Sequence, residues 1–267
     1  MKKILFCTKY DRLGASTRLR TLQFIPYLEN EYICQVNSLF PDNYVRNIYD
    51  KVKQNKLQIV WAFIKRFIMV FFSNADIIVI EKELFPYLPH FVEHICLCRK
   101  KYIIDMDDAI FHNYDHSKNK LVCLILSRKF KMLFKNAFLV WAGSNYIYEY
   151  ANKYAFGRVS LMPTVVDLNR YVSWKDAKIS KREGHYITIG WIGTTESSIY
   201  LDEVVDALLK VAESYKIRLA LVGTSRKLNL PTVKIENIAW SEFTEIEEIN
   251  KFDIGIMPLA ETRWSKG

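Results

Sequence analysis

Short runs of β-forming apolar residues alternate with longer amphipathic stretches along the first two thirds of the chain. This alternation predicts strands, separated by helices, near residues 2–9, 32–39, 76–81, 101–106, 137–142 and 159–162. Strands that alternate with helices usually form a parallel sheet with helices on both faces. The runs ADIIVIE and FLVWAG are almost entirely apolar, as expected of strands that are buried on both faces. The pattern therefore predicts an α/β fold around a buried sheet.

A polar tract from Asp167 to Gly184 interrupts this pattern. It has mixed charge, no apolar period and a glycine at its end, which is typical of a linker. Beyond it, the runs HYITIGWIG, KIRLALVG and FDIGIMPL predict further strands. The helix after the first of these carries a core-facing stripe at steps of three and four, formed by Leu201, Val204, Val205, Leu208, Leu209 and Ala212. We therefore predict two domains, residues 1–166 and 185–267, joined by a linker at 167–184.

The composition is that of a globular protein, with 50% hydrophobic and 25% charged residues in 267. The net charge of +9 is unevenly distributed: residues 1–180 carry 27 Lys and Arg against 16 Asp and Glu, and the rest carries 11 against 13. The first domain should therefore face an anionic partner, and a lipid surface or lipid-linked phosphate fits as well as nucleic acid does. The sequence has no RNP-like, zinc-finger or helix-turn-helix signature, which argues against nucleic acid.

The cysteines form no paired CxxC motif; they are Cys7, Cys34, Cys96, Cys98 and Cys123. This pattern is typical of reduced thiols in a cytoplasmic protein and argues against a zinc site. The first residues, MKKILFCTKY, hold an apolar run too short for a secretory signal, and no small-residue cleavage site follows. We therefore expect a first strand there and a cytoplasmic location.

Both halves open with the same local unit, which is a hydrophobic strand, a glycine-bearing loop (residues 13–16 and 192–195) and a predicted amphipathic helix. A helix that begins after a glycine turn offers free backbone N–H groups to an anion, so two such ends could flank one phosphorylated ligand. Plain α/β packing is the alternative, because short glycine turns are common in such loops. Neither loop reads GxGxxG, which argues against a dehydrogenase.

Six stretches together resemble the family 4 glycosyltransferases that build bacterial capsule, O-antigen and related surface glycans. They are YDRLGASTRLR, YIIDMDDAIFH, VWAGSNYIYEYA, MPTVVDLNRY, IGWIGTTESSIYL and DIGIMPLAETRWSKG. The resemblance implies the GT-B fold, in which two Rossmann-like domains face each other across a cleft. Family members continue after a WSKG-like segment with a helix carrying two glutamates, so the second domain is expected to be incomplete.

The resemblance implies a retaining transfer of a sugar from a UDP- or GDP-linked donor to a glycan or lipid-linked acceptor, without a metal or other cofactor. Fixed positive charge is needed where the leaving diphosphate gains charge. The expected donor-binding residues are Gly193, Thr194, Thr195, Arg226, Lys227, Arg263 and Lys266. The expected diphosphate or acceptor loop is Gly14, Ala15, Ser16 and Arg18, with Arg12 and Arg20 nearby. For these cations the alternative is a solvated loop or helix surface. A chain lacking the donor helix could instead be a non-catalytic binding module of a glycan assembly complex.

Asp105, Asp107 and Asp108 end the strand YIIDM and form a D-x-D pattern. Strand alternation places Asp105 and Asp107 on one side and Asp108 on the other. We favour a metal-independent role, with divalent-ion binding by these carboxylates as the rival. Asp107, Asp108 and His112 are the candidate catalytic residues for contacting the acceptor hydroxyl. The alternative is that they cap the next helix.

Two further patterns have competing interpretations. His90, His94 and Cys98 lie at steps of four on a predicted helix, which could place three ligands on one face, although we favour a structural role. Residues 57–72, LQIVWAFIKRFIMVFF, are interrupted by Lys65 and Arg66, which disfavours a membrane span. They predict a helix that either lies in a membrane interface or packs on the sheet. The first alternative would place the protein at the inner face of the membrane.

Overall fold

The computed structural model describes residues 1–171 and 186–260. They divide into two compact units, of which the first comprises Met1–Val166 and the second begins at Asp167. Arg263, Lys266 and most of the expected linker lie outside the described residues.

The first unit is built on a parallel sheet in the order β2-β1-β3-β4-β5-β6. Its strands are β1 (Lys2–Tyr10), β2 (Tyr32–Phe40), β3 (Ile77–Glu81), β4 (Tyr102–Met106), β5 (Leu139–Ala142) and β6 (Val159–Leu161). Each begins and ends within two residues of its predicted limits. All of β4 and most of β3 are buried, which explains why these strands are continuous apolar runs.

Helices cover both faces of this sheet. They are α1 (Ile25–Leu28), α2 (Asp42–Tyr49), α3 (Lys56–Phe71), α4 (His90–Leu97), α5 (His112–Asp115), α6 (Lys120–Leu126), α7 (Lys129–Asn136) and α8 (Asn145–Asn152). Side chains of α3, α4, α7 and α8 share the larger core, and α1 packs on the smaller one with Ile25 and Leu28. Within the described ranges, no helix has the length and apolar character needed to cross a membrane.

The helix predicted directly after Gly14 begins at Ala15 but is irregular. It contains a π-helical turn (Thr17–Thr21) and a 3₁₀ turn (Leu22–Phe24) before α1. The π-helical turn buries Thr17 and Arg20. The wider turn therefore serves to direct polar side chains inward rather than to continue an apolar stripe, and π turns are often found at functional sites for this reason.

The second unit is a parallel sheet in the order β10-β7-β8-β9. Its strands are β7 (Ile187–Ile192), β8 (Ile217–Val222), β9 (Lys234–Ile238) and β10 (Ile254–Gly255). Its helices are α9 (Leu168–Tyr171), a 3₁₀ helix (Ser197–Val204), α10 (Val205–Ala212) and α11 (Glu245–Asn250). All six positions of the predicted stripe contribute to the core, although the helix changes from 3₁₀ to α between Val204 and Val205.

A buried lysine cluster fixes the loop that follows β3. Lys129 of α7 has no exposed side-chain area and pairs with Glu83 and with Glu93, the latter at 3.1 Å. Its Nζ also donates to the carbonyl of Phe85 at 2.6 Å, and the backbone N–H of Phe85 donates to Glu93 at 2.9 Å. The cluster therefore ties α4, α7 and the start of the loop together beneath the sheet edge.

We expect Lys129→Met to destabilise the first unit by about 3–5 kcal/mol, because it leaves two buried carboxylates without a counter-charge. Urea unfolding followed by circular dichroism measures this. Lys135→Met, at an exposed position of the same helix, is the matched control and should change stability little. Equal effects of the two substitutions would contradict a structural role for the buried cluster.

Candidate functional site

Charged and polar side chains gather at the carboxyl ends of the strands of the first sheet, where open α/β sheets bind their ligands. Thr17 follows β1, Lys82 follows β3, and Asp107 follows β4. Thr164 follows β6 and joins the same network through Arg20. The sequence placed the aspartates here, but it did not identify Lys82, Thr17 or Thr164.

Arg20 and Asp105 form a buried bidentate ion pair. The Nε of Arg20 donates to the two carboxylate oxygens at 3.0 and 2.9 Å, and a second nitrogen also contacts Oδ1. Its remaining terminal nitrogen donates to Thr164 Oγ1 at 2.9 Å. The interpretation of Arg20 as a helix-surface residue is therefore wrong, because the π-helical turn directs it under the loop. The pair joins the β1 loop, β4 and the segment after β6.

Lys82 holds Asp107 and Asp108 together. Its Nζ lies 3.0 Å from Asp107 Oδ1, 2.6 Å from Asp108 Oδ2 and 3.2 Å from Ser16 Oγ. The φ of Lys82 is +64°, a left-handed conformation that is uncommon for a residue with a side chain and that often marks functional sites. Burial alone would raise the pKa of Asp107, but the charges of Lys82 and Arg20 and the hydrogen bonds from Ser16 and Lys82 together outweigh it and lower that pKa.

Two sequence-based interpretations of the aspartates are corrected by this geometry. Asp107 and Asp108 do not lie on opposite sides, because β4 ends at Met106 and both carboxylates turn toward Lys82. Neither caps α5, whose N-cap is Phe111 and has no side-chain cap. The side chain of Asp108 is 40% exposed and that of Asp107 is 15% exposed, so Asp108 is the more accessible of the two.

Glu81, the last residue of β3, is a buried acid within this edge. Its Oε2 accepts a hydrogen bond from Thr17 Oγ1 at 2.8 Å. Burial raises its pKa to about 7, and the opposing effects of Lys82 and the Thr17 hydrogen bond do not cancel that increase. Near neutral pH this carboxyl group therefore exchanges a proton readily, which the sequence gave no sign of.

His112 is the centre of a hydrogen-bonded chain at the same edge. Its Nδ1 lies 2.8 Å from Asp115 Oδ1, and its Nε2 lies 2.6 Å from the hydroxyl of Tyr146. Tyr150 donates to the other oxygen of Asp115 at 3.0 Å and stacks on Phe111 at a centroid distance of 3.8 Å. With only 12% of its side chain exposed, His112 would act on a ligand through Tyr146 rather than by direct contact.

Three potential metal ligands lie close together at α5. Among the residues that the structure describes, the set His112, Asp115 and His116 brings donor atoms within 4.8 Å of one another. Both ring nitrogens of His112 already have hydrogen-bond partners in the protein, so metal binding would require these bonds to break. In the same described part of the chain, His90, His94 and Cys98 do not meet that distance, and Cys98 follows the end of α4.

The loop after β1 is held mainly by its own contacts. A Cβ added to Gly14 would lie 2.8 Å from the Cβ of Tyr10, so the close approach of the chain requires glycine. Arg18 donates to the carbonyls of Arg12 and Leu13 at 3.0 and 3.1 Å and thereby closes the loop. Ala15 is exposed, and Ser16 contacts Lys82. Ser16 therefore connects this loop directly to the charged edge.

In the second unit the loops after β7 and β8 touch. Gly223 has a φ of +88°, and a Cβ there would lie 2.2 Å from the carbonyl oxygen of Gly193. The backbone N–H of Thr194 donates to Ser197 Oγ at 3.0 Å, which orders the turn that Thr195 continues. Close packing therefore explains why both positions are glycine. The turn after β7 presents Thr194 and Thr195 at the carboxyl edge of the sheet.

The expected donor-binding cations of this unit differ in their surroundings. Arg226 donates to Asp202 Oδ2 at 2.6 Å, in an ion pair whose side chains are 30% and 60% exposed. Lys227 is exposed. Arg226 would therefore have to exchange an exposed aspartate for a phosphate in order to bind a donor.

Comparisons with protein-family models and with curated protein sequences find no match. Solved structures do match. Sucrose-phosphate synthase from Thermosynechococcus elongatus has a TM-score of 0.62 at 10% identity, covering 98% of this chain and 77% of its own. HepE from Anabaena, solved with UDP, has a TM-score of 0.59 at 12% identity, covering 96% and 74%.

A UDP-N-acetylglucosamine 2-epimerase also matches, with a TM-score of 0.53 at 9% identity, covering 96% of this chain and 74% of its own. Similarity at these identities shows the fold alone. It confirms the predicted fold class, an α/β chain of two Rossmann-like parts as in GT-B enzymes. Because an epimerase shares the fold, the reaction has to be inferred from the site.

We expect the stability of the protein to fall as pH rises from about 4.5 to about 7, because the buried Glu81 is costly to ionise in the folded state only. The sign follows from the raised pKa: the folded protein keeps a proton that the unfolded chain releases. Glu81→Gln should remove this loss, which amounts to up to about 3 kcal/mol at pH 8.

Urea unfolding at pH 5 and pH 8 measures this difference. Glu149→Gln, at an exposed position of α8, serves as the control and should leave the pH dependence of the wild type unchanged. A Glu81→Gln protein with the same pH dependence as the wild type would show that Glu81 is already ionised at pH 5.

Proposed function

We propose that this chain is a retaining glycosyltransferase that uses a nucleotide-diphosphate sugar, UDP- or GDP-linked, to extend a glycan or lipid-linked acceptor in surface polysaccharide synthesis. The first unit binds the acceptor and the second binds the donor, without a metal ion. The reaction takes place in the cytoplasm at the inner face of the membrane, with peripheral contact through residues 57–72. The observation that carries the proposal is the set of paired charges at the carboxyl edge of the first sheet.

This set fits a transferase because its charges are fixed before substrate arrives. Arg20 is locked onto Asp105, and Lys82 is locked onto Asp107 and Asp108. Side chains held in this way stabilise charge that develops during a reaction without the cost of reorientation. Asp108, the most exposed of these carboxylates, is placed to accept a hydrogen bond from an acceptor hydroxyl.

Lys82 has the role that a divalent cation has in metal-dependent transferases. An ammonium group between two carboxylates neutralises them and fixes their orientation. Loss of the lysine would leave two adjacent carboxylates that repel each other and attract cations from solution. The absence of a metal requirement is therefore part of the proposal, supported by the position of this lysine.

In this proposal the second unit binds the nucleotide-sugar donor. The contacting loops after β7 and β8 present Thr194, Thr195 and Lys227 at the carboxyl edge of a parallel sheet, where nucleotides bind in this class of fold. HepE, which shares the fold, was solved with UDP. We therefore propose that a nucleoside diphosphate binds to this edge, with Arg226 moving from Asp202 to the phosphate.

Calorimetry with UDP, GDP and their hexose conjugates tests the donor proposal, and incubation with a polyprenyl-diphosphate-linked N-acetylhexosamine tests transfer. We expect binding of one nucleotide class and a product whose anomeric configuration matches the donor, measured by proton NMR. An inverted product would contradict retention. Binding without transfer would support a binding module, and interconversion of UDP-N-acetylglucosamine with its 2-epimer would support an epimerase.

We expect Lys82→Met to lower kcat by roughly 10²–10³-fold while leaving the nucleotide Kd unchanged, because it disrupts the acceptor edge and not the donor edge. Steady-state transfer kinetics and calorimetry together measure both quantities. Lys101→Met, at an exposed position before β4, is the matched control. A gain of activity on adding Mg²⁺ to Lys82→Met alone would indicate that the lysine occupies a cation site, whereas Mg²⁺ activation of the wild type would contradict metal independence.

A further inference from the structure

The helix α3 has two apolar faces. The inner face packs on the sheet through Phe63, Phe67 and Val70. The outer face carries a stripe of exposed apolar side chains at steps of three and four, formed by Leu57, Val60, Trp61, Ile64, Ile68, Phe71 and Phe72. We call these seven residues the α3 stripe. A helix with only one of its apolar faces covered presents the other to a partner.

The two basic residues in the middle of α3 lie on different faces. Arg66 is 1% exposed, and one of its terminal nitrogens donates to the carbonyls of Thr8 and Asn37, both at 2.7 Å. Lys65 is exposed, and its Nζ lies 5.6 Å from the centre of the Trp61 ring. Arg66 therefore anchors the helix to the protein, whereas Lys65 belongs to the outer surface.

The charged residues of α3 and of the segment before it have a single sign, and the exposed Asp50 and Asp76 flank this stretch. Residues 51–75 contain no Asp or Glu. Their basic residues other than the buried Arg66 are all exposed, namely Lys51, Lys53, Lys56 and Lys65. An apolar strip bordered by lysines, with a tryptophan beside one of them, has the composition of helices that lie flat in the interface of an anionic bilayer.

The same charge argues against a second copy of this chain as the partner. A two-fold symmetric contact centred on the α3 stripe would bring the two Lys65 side chains together, with no carboxylate in residues 57–72 to pair with them. A lipid surface with anionic headgroups supplies the missing negative charge and an apolar layer at once.

We propose that the α3 stripe is a docking surface for an anionic lipid bilayer, in which α3 lies parallel to the membrane plane. The apolar side chains enter the acyl boundary, and the four lysines contact phosphate headgroups. Because Arg66 binds the carbonyls of Thr8 and Asn37 near the carboxyl ends of β1 and β2, docking also fixes the sheet edge that carries Lys82 and Asp108 relative to the bilayer. The docking specifies the peripheral membrane contact of the proposed function, and its role, presentation of a lipid-linked acceptor to that edge, rests on the proposed sugar transfer.

Co-sedimentation of the purified full chain with vesicles tests the docking. The vesicles are phosphatidylcholine alone or phosphatidylcholine with 30% phosphatidylglycerol, chosen as a probe of roughly physiological anionic content. We expect binding to the anionic vesicles, at least tenfold weaker binding to the neutral ones, and a decrease as salt increases. No binding to either kind of vesicle would overturn the proposal.

The double variant Trp61→Ser with Ile68→Ser should bind anionic vesicles at least tenfold less. The matched control is Phe156→Ser, because Phe156 is also an exposed aromatic residue of the first unit, at 85% exposure, but lies outside α3. Circular dichroism confirms that both proteins are folded. Equal loss in the control and the double variant would show that vesicle binding does not depend on the α3 stripe.

Light scattering after size-exclusion chromatography tests whether a second copy of this chain covers the α3 stripe instead of a bilayer. A dimer that the double variant dissociates, together with no vesicle binding by the wild type, would assign the α3 stripe to a second copy and overturn the proposal. Vesicle binding by a protein that transfers no sugar would leave the docking intact and count against the glycosyltransferase alone.

Discussion

The loops of the first unit depend on one constraint, that a buried cation beside them is paired with carboxylates. Arg20 with Asp105, Lys82 with Asp107 and Asp108, and Lys129 with Glu83 and Glu93 all satisfy it. An unpaired charge in any of these places would cost several kcal/mol, so each pair constrains the segments that supply it. The loops after β3 and β4 are consequently fixed by electrostatics as well as by the apolar packing of residues such as Phe85 and Phe111, and the pairs of Arg20 and Lys82 form the candidate site.

The strands of the first sheet could be predicted because burial on both faces leaves a continuous apolar run, as in β3 and β4. β9 was not predicted, because KIENI is an edge strand whose residues are largely accessible and whose sequence mixes charge with isoleucine. The π-helical form of Thr17–Thr21 was not predicted for a related reason, although a helix was. Its form is determined by a polar contact across the fold, between Arg20 and Asp105, and local periodicity contains no information about such contacts.

The residues of the candidate site likewise fall into those that local sequence predicted and those that it did not. Asp107, Asp108 and His112 were predicted from the end of a strand, which is a local property, together with the acceptor-facing position that the family resemblance implies. Lys82 and Tyr146 were not predicted, because their roles arise from partners 26 and 34 residues away. One signal was nevertheless present: Glu81 ends an otherwise apolar strand and Lys82 and Glu83 follow it directly, and charges at such a position are buried unless the chain turns outward at once. Charged residues at the carboxyl end of a buried strand therefore merit the same attention as motifs.

Residues 57–72 show why hydrophobicity alone could not decide between sheet packing and a membrane surface. The two interpretations apply to different faces of α3, because one face contacts the sheet and the other is exposed. The adjacent Lys65 and Arg66 lie on different faces, since neighbours in a helix are about 100° apart. Arginine is well suited to the buried position, because one terminal nitrogen of its guanidinium donates to two carbonyls there. The inward Arg66 and the outward Lys65 therefore mark which face of α3 the fold uses and which it leaves exposed.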